Sequence, residues 1–143
     1  VIHELEFNVT TASTGGANLF VGIYSEANGL PSALLGTKET VDVSSTGDKT
    51  ISTPFGGSLE LEKGTQYFLA FVRSVSADQV VLKAVDNQAS GWMPTETTAQ
   101  MGRNICRYDA DDLDLPATLT FGDDEVVGQS KAMPIFLLRW DYS

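Results

Sequence analysis

The densest chemistry in this chain is carboxylate. Asp109, Asp111, Asp112 and Asp114 crowd together, Asp123, Asp124 and Glu125 follow, and no Lys or Arg falls between 109 and 125. Calcium takes roughly six to eight oxygen ligands, and alternating acids on a loop converge on one ion at this spacing. Asp109, Asp111 and Asp112 would be the ligands. The run lacks the glycine and distal Glu of an EF-hand loop, and Leu113 and Leu115 read as core anchors. Solvated loop acids are the plainer reading, so no cofactor is expected.

Other catalytic groups are scarce. His3 is the single histidine and Cys106 the single cysteine. A nucleophile–histidine system would have to pass through His3, which stands at a polar-face strand position. Zinc sites draw on several such residues, and no glycine-rich phosphate loop has the required spacing. Paired carboxylates about 5–9 Å apart suffice for glycoside cleavage. That chemistry also needs a groove, and this chain is short with two Trp residues. The expectation is a protein that is not an enzyme.

Recognition is better supplied. Asn87, Gln88, Trp92, Arg103, Asn104 and Tyr108 combine aromatic faces with planar amides and a guanidinium. Aromatic faces pack on sugar rings, while amides and guanidinium groups pair with hydroxyls. All six fall in the irregular stretch 86–116, and exposed function concentrates in such stretches. Trp92 also reads as a core plug, and Trp140 as core or subunit interface.

The elements that must position these groups are strands. At 143 residues, 42% hydrophobic and 20% charged, the chain fits one soluble globular domain. A net charge of −10 opposes binding to nucleic acid or to anionic lipid. No run is long enough to span a bilayer, and no signal peptide is visible. With one cysteine no internal disulfide forms, which fits folding in a reducing cytoplasm. The Asn8-Val9-Thr10 glycosylation pattern lies mid-strand and reads as chance. The chain opens at Val1 in strand-like sequence and is expected to be a piece of a longer protein.

Leu5, Phe7 and Val9 alternate with Glu4, Glu6 and Asn8, the period of a strand with one buried face. Residues 18–24 are apolar on both faces and read as a central strand. Residues 25–31, with Asn28-Gly29 and Leu30-Pro31, read as a loop that must reverse or redirect the chain. Strands follow at 37–43 and 49–53, and Leu59 and Leu61 alternate with Ser58, Glu60 and Glu62. Residues 66–75 form the strongest apolar strand, with 79–85 as its expected hairpin partner. Strands at 119–121 and 132–142 close the chain. No segment has helical apolar spacing. The expectation is an all-β fold: a single antiparallel β-sandwich, jelly-roll-like, of about eight to ten strands over 1–143.

Three motifs carry a family resemblance. Asn18-Leu19-Phe20-Val21-Gly22-Ile23-Tyr24-Ser25, then Asn28-Gly29-Leu30-Pro31 and Leu34-Leu35, resembles a pattern in phage tail-fibre and related virion proteins. Leu61-Glu62-Lys63-Gly64-Thr65-Gln66-Tyr67-Phe68-Leu69-Ala70 is similar to the strand that follows it there. Leu115-Pro116-Ala117-Thr118 and Pro134-Ile135-Phe136-Leu137 look like the C-termini of such proteins. Together they cover about half the chain in the expected order, while 86–114 matches nothing in the family. Related patterns also occur in secreted bacterial β-sandwich modules.

The resemblance implies a C-terminal (distal) fibre module that binds a host cell-surface glycan or protein receptor without catalysis. It implies a homotrimer and a virion location, with assembly in the host cytoplasm. Two other readings stay open: a structural virion part, such as a decoration or collar domain, and a secreted carbohydrate-binding module.

Overall fold

A computed structural model describes residues 1–74, 80–85, 114–119, 133–134 and 136–140. Among them the chain forms nine strands and no helix: β1 (Ile2–Thr11), β2 (Asn18–Ala27), β3 (Leu30–Asp42), β4 (Gly47–Ser52), β5 (Tyr67–Arg73), β6 (Val81–Leu82), β7 (Ala84–Val85), β8 (Met133–Pro134) and β9 (Phe136–Trp140). The chain is all-β, built on two antiparallel sheets.

The first sheet is organised by β1. One edge pairs with β4, from Glu4↔Ser52 to Val9↔Gly47. Residues 4–7 also pair with β9, from Glu4↔Arg139 to Phe7↔Phe136, so β9 takes the opposite edge. Beyond the end of β9, β6 continues that edge at Val9↔Leu82 and Thr11↔Val81. The second sheet has the order β3-β2-β5, and β7 and β8 form a separate short pair.

The alternation in β1 buries what it promises. Leu5, Phe7 and Val9 meet Leu19, Val21 and Ile23 of β2 in one core, with Val41, Val43 and Phe55 closing it. Ile2 joins the same core despite its opposite parity, because the register with β9 shifts between Ile2 and Glu4. The rings of Phe7, Phe136 and Phe71 stack in series at 5.4 and 5.2 Å between centroids, linking the two sheets.

The second sheet is covered on both faces. Phe20 and Tyr24 point away from the shared core, and Tyr24 packs with Leu34, Phe68, Ala70, Val72, Leu115 and Leu119. This is why β2 reads as apolar throughout. It is the central strand of its sheet and has no solvent face.

Several expectations need correction. Residues 25–31 reverse the chain, but as a tight hairpin with a two-residue turn: Asn28 (φ 56°) and Gly29 (φ 82°) are the turn residues between paired Ala27 and Leu30. Both positive φ values make this the primed turn whose twist matches flanking strands, and Asn-Gly is its preferred sequence. Pro31 then lies inside β3, which tolerates it as an edge strand. β3 therefore starts at Leu30 rather than 37, and it absorbs its extra residues as bulges opposite Val21–Ile23 and Tyr24–Glu26.

The alternation at 58–62 builds no strand. Leu59 packs against the core and its carbonyl accepts the Ile2 N–H at 3.2 Å, while Leu61 is exposed. Residues 79–85 are not the hairpin partner of β5 either, since β6 crosses to the first sheet. β1 outruns β9 there, and its backbone groups need partners: Lys83 N–H donates to Asn8 O at 2.9 Å. At the far end of the chain, Leu119 lies outside any strand and Thr118 makes a single bridge to Ala33.

Candidate functional site

The residues nominated for recognition (Asn87, Gln88, Trp92, Arg103, Asn104 and Tyr108) lie outside the described residues. So do Cys106 and the nominated calcium ligands Asp109, Asp111 and Asp112. Both borders of their tract are described. On the N-terminal side stands β7, paired with β8 at Ala84↔Pro134 and Val85↔Met133. On the C-terminal side, residues 114–119 form a strap laid over the outer face of the second sheet.

The strap is fastened at every level. Leu115 and Leu119 are buried against Tyr24, Leu34 and Phe68. Gly22 leaves the space they need: a Cβ there would stand 2.7 Å from Leu34 Cδ1 and 3.1 Å from Leu115 Cδ1. Backbone pairing follows, with Leu34 N–H donating to Ala117 O at 2.9 Å and Leu119 N–H to Ser32 O at 2.7 Å. These bonds cap part of the free edge of β3. The Tyr24 hydroxyl donates to Pro116 O at 2.6 Å. Finally, the Lys38 ammonium binds the Asp114 carboxylate and lies 4.8 Å from the centre of the Phe20 ring.

These contacts set the electrostatics. Burial, reinforced by the nearby Asp114 charge, pushes the Tyr24 hydroxyl up to about 12, so it stays a neutral donor to the Pro116 carbonyl. The hydrogen bond from Lys38, with a further one from Leu115 N–H, holds Asp114 below the usual carboxylate range despite some desolvation. Asp114 is the one member of the acidic run that is described, and Lys38 and the Leu115 N–H occupy it. Among the described residues no group of three or more His, Cys, Asp or Glu is placed to hold a metal. His3 is exposed on β1.

Tyr24, Lys38 and Ser32 were not nominated from sequence. The available signal was the two-faced hydrophobicity of 18–24, which demands a second cover beyond the partner sheet. Among the described residues no helix is long and apolar enough to cross a membrane. Comparison with known protein families, with curated proteins and with solved structures finds no match.

Proposed function

We propose that this chain is the head domain of a phage tail fibre, a jelly-roll-like β-sandwich that binds a host cell-surface receptor, most simply a saccharide, without chemistry. The observation that carries this reading is what borders 86–113. The tract holds the aromatic, amide and guanidinium side chains suited to sugar recognition; β7, paired with β8, precedes it, and the strap fastened to the second sheet follows it. Binding segments are disproportionately loops presented by a rigid scaffold, and a stretch of this length inside a compact protein is usually functional. The fibre-like motifs agree with it. Ile23-Tyr24-Ser25 and Gly29-Leu30-Pro31 flank the β2–β3 turn, and Leu115-Pro116-Ala117-Thr118 is the strap itself.

Three copies in a homotrimer would offer three weak sites to one repetitive surface. Linking sites in this way raises avidity by about 10²–10⁴ with no new contact. The test is labelling of a panel of bacterial strains by the fluorescent protein, beside its Trp92→Ala variant. Specific labelling that the variant loses supports the reading. A protein that labels no strain, or a variant that labels as well as the parent, refutes receptor binding through this tract. Light scattering during gel filtration tests the trimer separately.

A further inference from the structure

The outward face of the first sheet is not a featureless solvent surface. Across it, Glu6 stands between Thr50 of β4 and Leu137 of β9. Asn8 stands between Asp48 of β4 and Lys83, whose N–H bonds to Asn8 O. These six side chains line an open concavity of about 350 Å³, within the range of small-ligand sites.

Its chemistry narrows the occupant. Two carboxylates accept hydrogen bonds, an ammonium donates them, and an amide and a hydroxyl do both. Three of these groups are already oriented. Asn8 Nδ2 donates to Asp48 Oδ1 at 2.7 Å, and Glu6 Oε2 accepts from Arg139 Nη2 at 3.4 Å. The Lys83 ammonium makes no ion pair among the described residues. Of the six, Leu137 is the apolar one, and it is 49% exposed. An anion would meet Glu6 and Asp48, and a cation would meet the Lys83 ammonium and share those carboxylates with Arg139 and Asn8. An apolar ligand would strand five polar groups without water. A ligand that donates and accepts in equal measure, carries no charge and has one C–H-rich face satisfies all six.

We propose that this face is a binding site for a neutral saccharide of roughly one or two rings. Hydroxyls would meet Glu6, Asn8, Asp48 and Lys83, with a ring face against Leu137. Mounting on paired strands keeps the groups positioned before the ligand arrives, which lowers the ordering cost of binding. None of the six residues belongs to the 86–113 tract, and the proposal does not depend on what that tract binds.

The test is a titration of the isotopically labelled protein with methyl glycosides of glucose, galactose and N-acetylglucosamine and with lactose and maltose, followed by NMR. At least one sugar should give saturable amide shifts centred on Glu6, Asn8, Asp48, Lys83 and Leu137, with a Kd in the millimolar range. Asn8→Ala and Leu137→Ser should each weaken it roughly three- to tenfold, the worth of one hydrogen bond or a comparable contact. Unchanged spectra away from the face would show that both variants remain folded. Absence of saturable shifts with every sugar, shifts centred elsewhere, or affinity untouched by both substitutions would overturn the site. Loss of cell labelling in Trp92→Ala with sugar shifts intact separates the two surfaces.

Discussion

Tyr24 is the residue on which the two layers of the second sheet depend. It is wholly buried, and its hydroxyl reaches the carbonyl of Pro116. Tyr24→Phe keeps the ring and strands that carbonyl, so it should cost about 1–2 kcal/mol in urea unfolding at neutral pH. The pH dependence has a definite sign. A tyrosine whose folded pKa is raised to about 12 binds its proton more tightly folded than unfolded. Its stabilisation is complete below the unfolded value of about 10 and is lost as pH rises through the folded one. Asp114 and Asp42 act oppositely. Both are held below their usual range, Asp114 chiefly by the bond from Lys38 and Asp42 chiefly by that from Ser44. Their contribution is present above about 4 and disappears as pH falls through the lower folded values. The contribution of these three groups should therefore be constant between these limits. The gap between the parent protein and Tyr24→Phe should narrow above about pH 10, as measured by paired unfolding curves.

Among the elements, the strap should open as a unit of its own. Its hold consists of two backbone bonds, one phenolic bond, one exposed ion pair and two leucines. Regions held this lightly open below the global unfolding free energy. Leu115→Ala should cost about 2 kcal/mol and speed amide exchange at Leu34 and Leu119 while leaving Val21 protected, as read by hydrogen exchange. Equal acceleration at all three would mean that the strap is part of the core unit. A second element-level test concerns β3. Gly36 has φ +65°, and an added Cβ would stand 2.4 Å from Phe55 O. Gly36→Ala should cost about 2–4 kcal/mol by denaturant titration, because neither backbone has room to yield. How legible these elements are follows from how local their cause is. β1 was readable because one buried face writes strict alternation, and β2 because two buried faces write a continuous apolar run. β3 was misplaced at its start because Pro31 reads as a breaker, whereas only its edge position in the sheet makes it harmless. The strap and the crossing of β6 to β1 arise from pairings distant in sequence, which no local pattern records. The recognition residues are legible by side-chain type alone, and of the strap only Leu115 reads in sequence as a core anchor.

At the scale of the molecule, the first sheet is closed by its two ends. β1 opens the chain and β9 nearly finishes it, yet they pair over Ile2–Phe7 and Phe136–Trp140. β9 also delivers Phe136 and Leu138 to the shared core, where Phe136 bridges Phe7 and Phe71. Without it, β1 would keep β4 on one edge and only the short β6 on the other. The shared core would then lose the part that Phe136 and Leu138 supply. Forming this contact requires nearly the whole chain to be brought together first, so the closure entropy is met before the reward arrives. Folding should accordingly be slow, in the range of about milliseconds to seconds seen for non-local β proteins. Phe136→Ala should cost about 3 kcal/mol or more. If β9 docks only after the folding barrier, nearly all of that loss will appear as faster unfolding and little as slower refolding. Stopped-flow chevrons of the parent and the variant decide the matter. A refolding rate that drops by the full equilibrium factor would place end-to-end closure in the folding nucleus instead, and deleting residues 133–143 would then leave a chain unable to refold.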